Sequence, residues 1–151
     1  MKINKFGYIN YPLNSRFQCY PSANINIPHD TDYDIIFNTT TFNRGDYNTS
    51  TGIFTAPIAG IYQFSGILTL LDLFGDEYIY LRLMTTSQQY VLIQKDSYFN
   101  NEASICFNQV CSLSQGDTVK LTIYRYSQDN THIVYIYQDL KQSNFSGILI
   151  G

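Results

Sequence analysis

Residues 37–66, FNTTTFNRGDYNTSTGIFTAPIAGIYQFSG, decide how this chain folds. The stretch opens on polar turn chemistry: Asn38, a threonine run, then Arg44-Gly45-Asp46. A second turn follows at Asn48-Thr49-Ser50-Thr51-Gly52. Gly52 and Gly60 stand where a chain reverses or takes a backbone angle that a Cβ disfavours. Pro57 has no amide proton for a ladder, so it belongs at a strand end or edge. From Gly60 the residues alternate. Tyr62, Phe64, Gly66, Leu68 and Leu70 share one face, and Ile61, Gln63, Ser65, Ile67 and Thr69 share the other.

The same period of two runs outward in both directions. Upstream, Arg16–Tyr20 reads as a strand stopped by Pro21, Asn24–Ile27 as one stopped by Pro28, and Tyr33–Phe37 as a third after the polar turn 29–32. Downstream, Ile53–Ala56 is short and Gly60–Leu71 is the longest clear strand. Asp72–Glu77, with Gly75, reads as a turn. Tyr78–Thr86 alternates Ile79, Leu81 and Leu83 against Tyr80, Arg82 and Met84. Gln89–Gln94 is a strand, Lys95–Glu102 a polar loop, and Ala103–Leu113 a strand. Ser114-Gln115-Gly116-Asp117 is a hairpin turn whose glycine supplies a positive φ. Thr118–Tyr126, His132–Tyr137 and Asn144–Ile150 complete the set. Ten or so strands with short turns and no helical stripe predict an all-β antiparallel sandwich. Periodicity alone leaves an immunoglobulin-like and a jelly-roll sandwich both open.

Composition narrows the function. The 151 residues suffice for one self-supporting domain, read as 15–151, with 1–14 as an N-terminal arm or attachment segment. Charged residues are only 14% of the chain, which suggests surface hidden by self-association. The 14 tyrosines pair an apolar ring with a hydroxyl, suited to a subunit interface or a sugar site. Net charge is −3 with scattered cations, so no nucleic-acid footprint appears. No apolar run is long enough for a membrane span, and the residues after Met1 lack the apolar core of a signal peptide. Cys19, Cys106 and Cys111 read as reduced: an odd count leaves one unpaired, and residues 106 and 111 fall on opposite faces of a strand. There is no nucleophile elbow, CxxC pair or HExxH, so the chain reads as not an enzyme and without a zinc site.

Phe37, Asn43, Tyr47, Gly52, Phe54, Gly60, Tyr62 and Phe64 together resemble the signature of the globular head domain of complement component 1q. That family shares its jelly roll with tumour necrosis factor. Two departures stand out. The interval from Asn43 to Tyr47 is one residue short, and Gly66 occupies a position where the family usually has an aromatic residue. Phe145-Ser146-Gly147-Ile148-Leu149 resembles the family's closing strand, and Ala56-Pro57-Ile58-Ala59-Gly60 looks like the form found in bacterial and viral members. The resemblance selects a ten-stranded antiparallel jelly roll and implies a homotrimer, with Tyr135, Tyr137 and Ile148 as candidate interface residues.

The function expected from this likeness is a non-catalytic trimeric binding or decoration module. The favoured setting is a virion surface, as a phage fibre or head fibre that meets other fibre or capsid proteins and a host-surface glycan or protein. A secreted lectin or cytokine-like receptor ligand, and a structural trimerisation cap of a fibre, are the alternatives. The expected location is the virion surface or the extracellular space. No cofactor is expected beyond a calcium candidate at Asp72, Asp76 and Glu77, the densest acidic cluster. Arg44-Gly45-Asp46 is also an integrin-type tripeptide. Asn38, Asn48 and Asn144 sit in glycan-acceptor patterns.

Overall fold

A computed structural model describes the backbone at residues 2–3, 9–10, 15–128 and 131–151, and the side chains at 15–94, 101–128 and 131–151. Thirteen strands form among the described residues, and no helix. They are β1 (Lys2–Ile3), β2 (Ile9–Asn10), β3 (Arg16–Tyr20), β4 (Ile25–Ile27), β5 (Tyr33–Asp34), β6 (Thr39–Asn43) and β7 (Tyr47–Asn48). Then follow β8 (Ile53–Thr55), β9 (Gly60–Thr85), β10 (Gln89–Leu113), β11 (Thr118–Ser127), β12 (Val134–Ile136) and β13 (Asn144–Leu149).

β9 and β10 are long enough to serve in two layers. The first half of β9 pairs with the second half of β10 on one side and with β13 on the other. β3 and β6 continue beyond β13, which makes a first sheet ordered β6-β3-β13-β9-β10. β12 joins β9 at Leu70 and Leu71 and carries β4. The second half of β9 pairs with the first half of β10 and with β11, and β11 takes β5 and β8, with β7 on β8. Every pairing is antiparallel.

The hairpin changes layer at a bulge. Leu71 faces Glu102 and Leu73 faces Asn101, which leaves Asp72 unpaired. Positive φ at Asp72 (61°), Asn101 (77°) and Gly75 (76°) marks the corner. An extra residue in one strand bends it and sharpens the twist, which lets a single strand leave one sheet and enter the next. The expected turn at 72–77 and the expected loop at 95–102 are therefore two sides of one ribbon. Each segment is polar and lacks a clean alternation, but each satisfies the other's backbone. The threonine run, expected as a turn, is edge strand β6. Its β-branched residues suit a strand, and its exposure on the edge removes the alternation that would announce one. In the N-terminal segment, where no element is expected, Lys2 and Ile3 pair with Asn10 and Ile9. The rest of the expected arm lies outside the described residues.

Between the layers lies an aromatic core. Phe17 stacks on Tyr47 with ring centroids 4.7 Å apart and meets Phe145 edge-on at 5.1 Å. Phe54 meets Phe64 at 5.4 Å and Tyr62 at 5.5 Å. Each fully buried ring contributes about 1.5–3 kcal/mol of apolar transfer. Cys19, Cys106 and Cys111 are all free thiols. Burial pushes the Cys19 thiol up to about 12, so it packs as a neutral side chain and donates to the Phe145 carbonyl at 3.3 Å.

Candidate functional site

Among the described residues, the outward face of the first sheet carries most of the exposed large apolar side chains of β3, β6, β9, β10 and β13. Alternation sends Phe17, Phe64, Phe145 and Phe107 into the core and leaves the intervening residues outside. Phe42 on β6, Ile148 on β13, Ile61 on β9 and Val110 on β10 lie outside, with Ile150 just beyond β13. They are 38–52% exposed. Register brings them into rows: Ile148 opposes Gln63, and Gln63 opposes Val110. Arg16 and Glu102 are the only charged residues in β6, β3, β13, β12, β4 and the halves of β9 and β10 that build this sheet. Arg16 lies 5.7 Å over the Phe42 ring.

Three pairs of polar side chains on this face are bonded laterally. Gln63 Nε2 donates to Asn108 Oδ1 at 3.0 Å, Ser65 and Ser146 share a hydroxyl contact at 3.1 Å, and Thr69 and Ser104 share one at 2.9 Å. Groups that hold one another can lose water at little cost, whereas unpaired ones cannot. Tyr135 faces Leu71 on this same side, between the buried Val134 and Ile136. Tyr137 follows, half-buried, with its amide donating to the Thr69 carbonyl at 2.9 Å.

The signature residues serve the core and its turns. Phe37, Tyr47, Phe54, Tyr62, Phe64 and Phe145 are all buried. Asn43 braces the Arg44-Gly45-Asp46 turn: its Nδ2 donates to the Tyr47 carbonyl at 2.7 Å, and its Oδ1 accepts from Gly45 and Tyr47 amides at 3.0 and 3.3 Å. Within that tripeptide, Asp46 accepts from the Ser15 hydroxyl at 2.7 Å, so its carboxylate is tied to the fold. Gly52 takes φ +71 with the Ile35 carbonyl 2.6 Å from where a Cβ would stand. At Gly66 a Cβ would meet the Phe107 ring at 2.7 Å. The aromatic bulk absent from position 66 is thus supplied by its cross-strand partner.

The acidic cluster does not assemble. No group of three metal-ligand side chains gathers among the described residues. Asp72 and Asp76 are exposed, while Glu77 points into the sandwich in phase with Ile79 and is fully buried. Its Oε1 accepts from Arg125 Nη1 at 3.1 Å and contacts His132 Nε2 at 2.8 Å. Arg125 Nη2 donates to the His132 carbonyl at 3.1 Å. Burial pulls the Arg125 guanidinium below its usual value, and Glu77 opposes that shift. The sequence reading missed this trio, although the signal existed: Glu77 and Arg125 continue the inward rows of Ile79-Leu81-Leu83 and Val119-Leu121-Ile123. His132 and His29 both line a groove of about 480 Å³ walled by Ile27, Pro28, Tyr33 and Ile133.

Known proteins share this architecture. The globular domain of zebrafish complement 1qA protein is 18% identical, with 91% of this chain and 98% of that chain covered and a TM-score of 0.58. Murine APRIL, crystallised at pH 8.5, is 13% identical over 91% of this chain and 99% of its own, with a TM-score of 0.64. Eiger TNF from S. frugiperda is 14% identical over 91% and 93%, with a TM-score of 0.64. No curated protein sequence matches the chain. The structural likenesses fix a jelly roll of the kind that complement 1q heads and tumour necrosis factors share. A sequence model described as the C1q domain matches residues 17–150, almost the whole sandwich, and the chain therefore belongs to the C1q domain family.

Proposed function

We propose that the chain is a homotrimeric, non-catalytic binding module. It buries the outward face of its first sheet between copies and presents its second sheet and loops to a ligand on a host surface, a glycan. One observation carries the reading: a face that is nearly free of charge, dotted with exposed aliphatic side chains, and crossed by three laterally bonded polar pairs. Such a face suits burial against a second copy better than exposure to water. Tyr135, Tyr137 and Ile148 are interface residues in this reading. Three linked sites would convert weak single contacts into avidity.

The expected solution mass at low micromolar concentration is three times the 17.4 kDa of the chain. Ile148→Arg places an unpaired charge in the face and should give a monomer with unchanged β-sheet circular dichroism. Chelation should leave the parent's mass as it was, because the 72–77 acids do not converge. A parent that runs as a monomer, or a variant that stays trimeric, overturns the reading. The carrier we propose is a virion surface, supported by the likeness of residues 56–60 to bacterial and viral members. If particles still carry the protein after residues 1–14 are deleted, that arm is not the anchor.

A further inference from the structure

The outward face of the second sheet has a different chemistry. Antiparallel register sets Tyr124 opposite Tyr80 and Tyr126 opposite Tyr78, two adjacent rows of two tyrosines. All four point away from the core, because Ile79 and Arg125 between them point in. The Tyr78 ring lies 6.3 Å from Tyr80 and, edge-on, 6.2 Å from Tyr124, while the Tyr126 ring lies 5.3 Å from His29, so the four tyrosines share one aromatic face, here called the platform.

Polar groups rim the platform and hold its rings. The Tyr124 hydroxyl donates to Asp30 Oδ1 at 2.6 Å. Arg82 lies over the Tyr80 ring at 4.8 Å and pairs with Asp32. Asp34 takes Lys120 at 2.6 Å and the Thr122 hydroxyl at 3.1 Å. Gln89 Nε2 donates to the Tyr80 hydroxyl at 3.2 Å. Cross-strand stabilisation alone would call for aromatic pairs. It would not call for three carboxylates, Asp30, Asp32 and Asp34, brought to one side of those pairs.

We infer that this platform is the site for a neutral glycan. A tyrosine ring offers a flat apolar surface to the C–H face of a sugar, and its hydroxyl offers a polar handle. A carboxylate has about four acceptor positions, so each aspartate keeps acceptors for sugar hydroxyls beyond the bond it already makes. Among the described residues, the two cations of the platform, Arg82 and Lys120, are engaged by aspartates, and the three aspartates outnumber them. An acidic sugar would meet excess negative charge there, and a neutral one would not. The Tyr80 and Tyr124 rings are held before any ligand arrives, which lowers the ordering cost of binding. This inference rests on the binding-module reading and names its ligand surface.

The test is binding of the full chain to an array of neutral hexose and N-acetylhexosamine oligosaccharides beside sialylated and sulfated ones. Tyr126→Ala and the double variant Tyr80→Ala, Tyr124→Ala serve as probes. The mass and melting temperature of each are read in parallel. The parent should bind neutral members, and the double variant should bind them at least about tenfold less at unchanged mass, as when an anchoring ring is lost. Tyr126→Ala, at the most exposed ring, keeps the test standing if the double variant unfolds. Neutral binding that survives Tyr126→Ala and the folded double variant overturns the site. A trimeric parent that binds only acidic members overturns the ligand class and leaves the module reading intact, and one that binds no member overturns the glycan in both readings and leaves the trimer. A monomeric parent overturns the module reading, and the array still decides the platform.

Discussion

At Gly147 an added methyl group would stand 2.5 Å from Phe17 Cε1 and 2.7 Å from Phe64 Cε1. Both rings are fully buried and clamped by Tyr47, Phe54 and Phe145, so neither can turn aside. Gly147→Ala should cost about 1–3 kcal/mol by overpacking, read as a lower urea midpoint at unchanged slope. An unchanged midpoint would mean that the cluster is loose. Residues such as Gly147 and Asn43 were legible as part of a family pattern, and that pattern was enough to name the fold. Why each type is needed was not legible. Asn43 bonds across its own turn to a residue four positions on, and Gly147 yields to rings from β3 and β9. Those reasons depend on distances between strands, and a single sequence contains no such distances.

Strands with one buried face were read correctly: β9 before its corner, β11 and β13 show the alternation that burial imposes. The ribbon where β9 and β10 change layers was not, because its polar residues suit a turn as well as an exposed strand. The reading of Glu77 failed with it. Placed in a turn, Glu77 looks like a calcium ligand; placed on β9, it becomes the acceptor that ties β9 to β11 and to His132. Glu77 Oε2 and Arg125 Nε are buried and find no partner among the described residues, so the pair is costly to break one side at a time. Glu77→Leu alone should lose about 3–5 kcal/mol by stranding the buried guanidinium. Adding Arg125→Met should restore a large part of that loss, because both charges are then gone. Urea unfolding of the two variants tests this. Losses that simply add would show that the two side chains do not act as a pair.

The whole molecule presents two outward faces of unlike character, and the proposed assembly depends on the difference. The first is aliphatic and nearly uncharged. The second is tyrosine-rich and rimmed by aspartates. Low overall charge suggested a hidden surface in the sequence, and the register gathers the exposed aliphatic residues of the first sheet on one side rather than scattering them around the sandwich. If three copies share that side, folding and assembly are linked, and the melting temperature must rise with protein concentration. Ile148→Arg should melt lower, at a temperature independent of concentration. Salt provides a second arm. Arg16 and Glu102 are the only charges on the strands of the first sheet, so 1 M salt, where screening falls to about 3 Å, should leave the melting temperature of the proposed trimer nearly unchanged. A trimer that dissociates in salt would have to be held by charged loops, and the first sheet would then lose its claim to the interface. A melting temperature flat in concentration for the parent would remove the assembly itself.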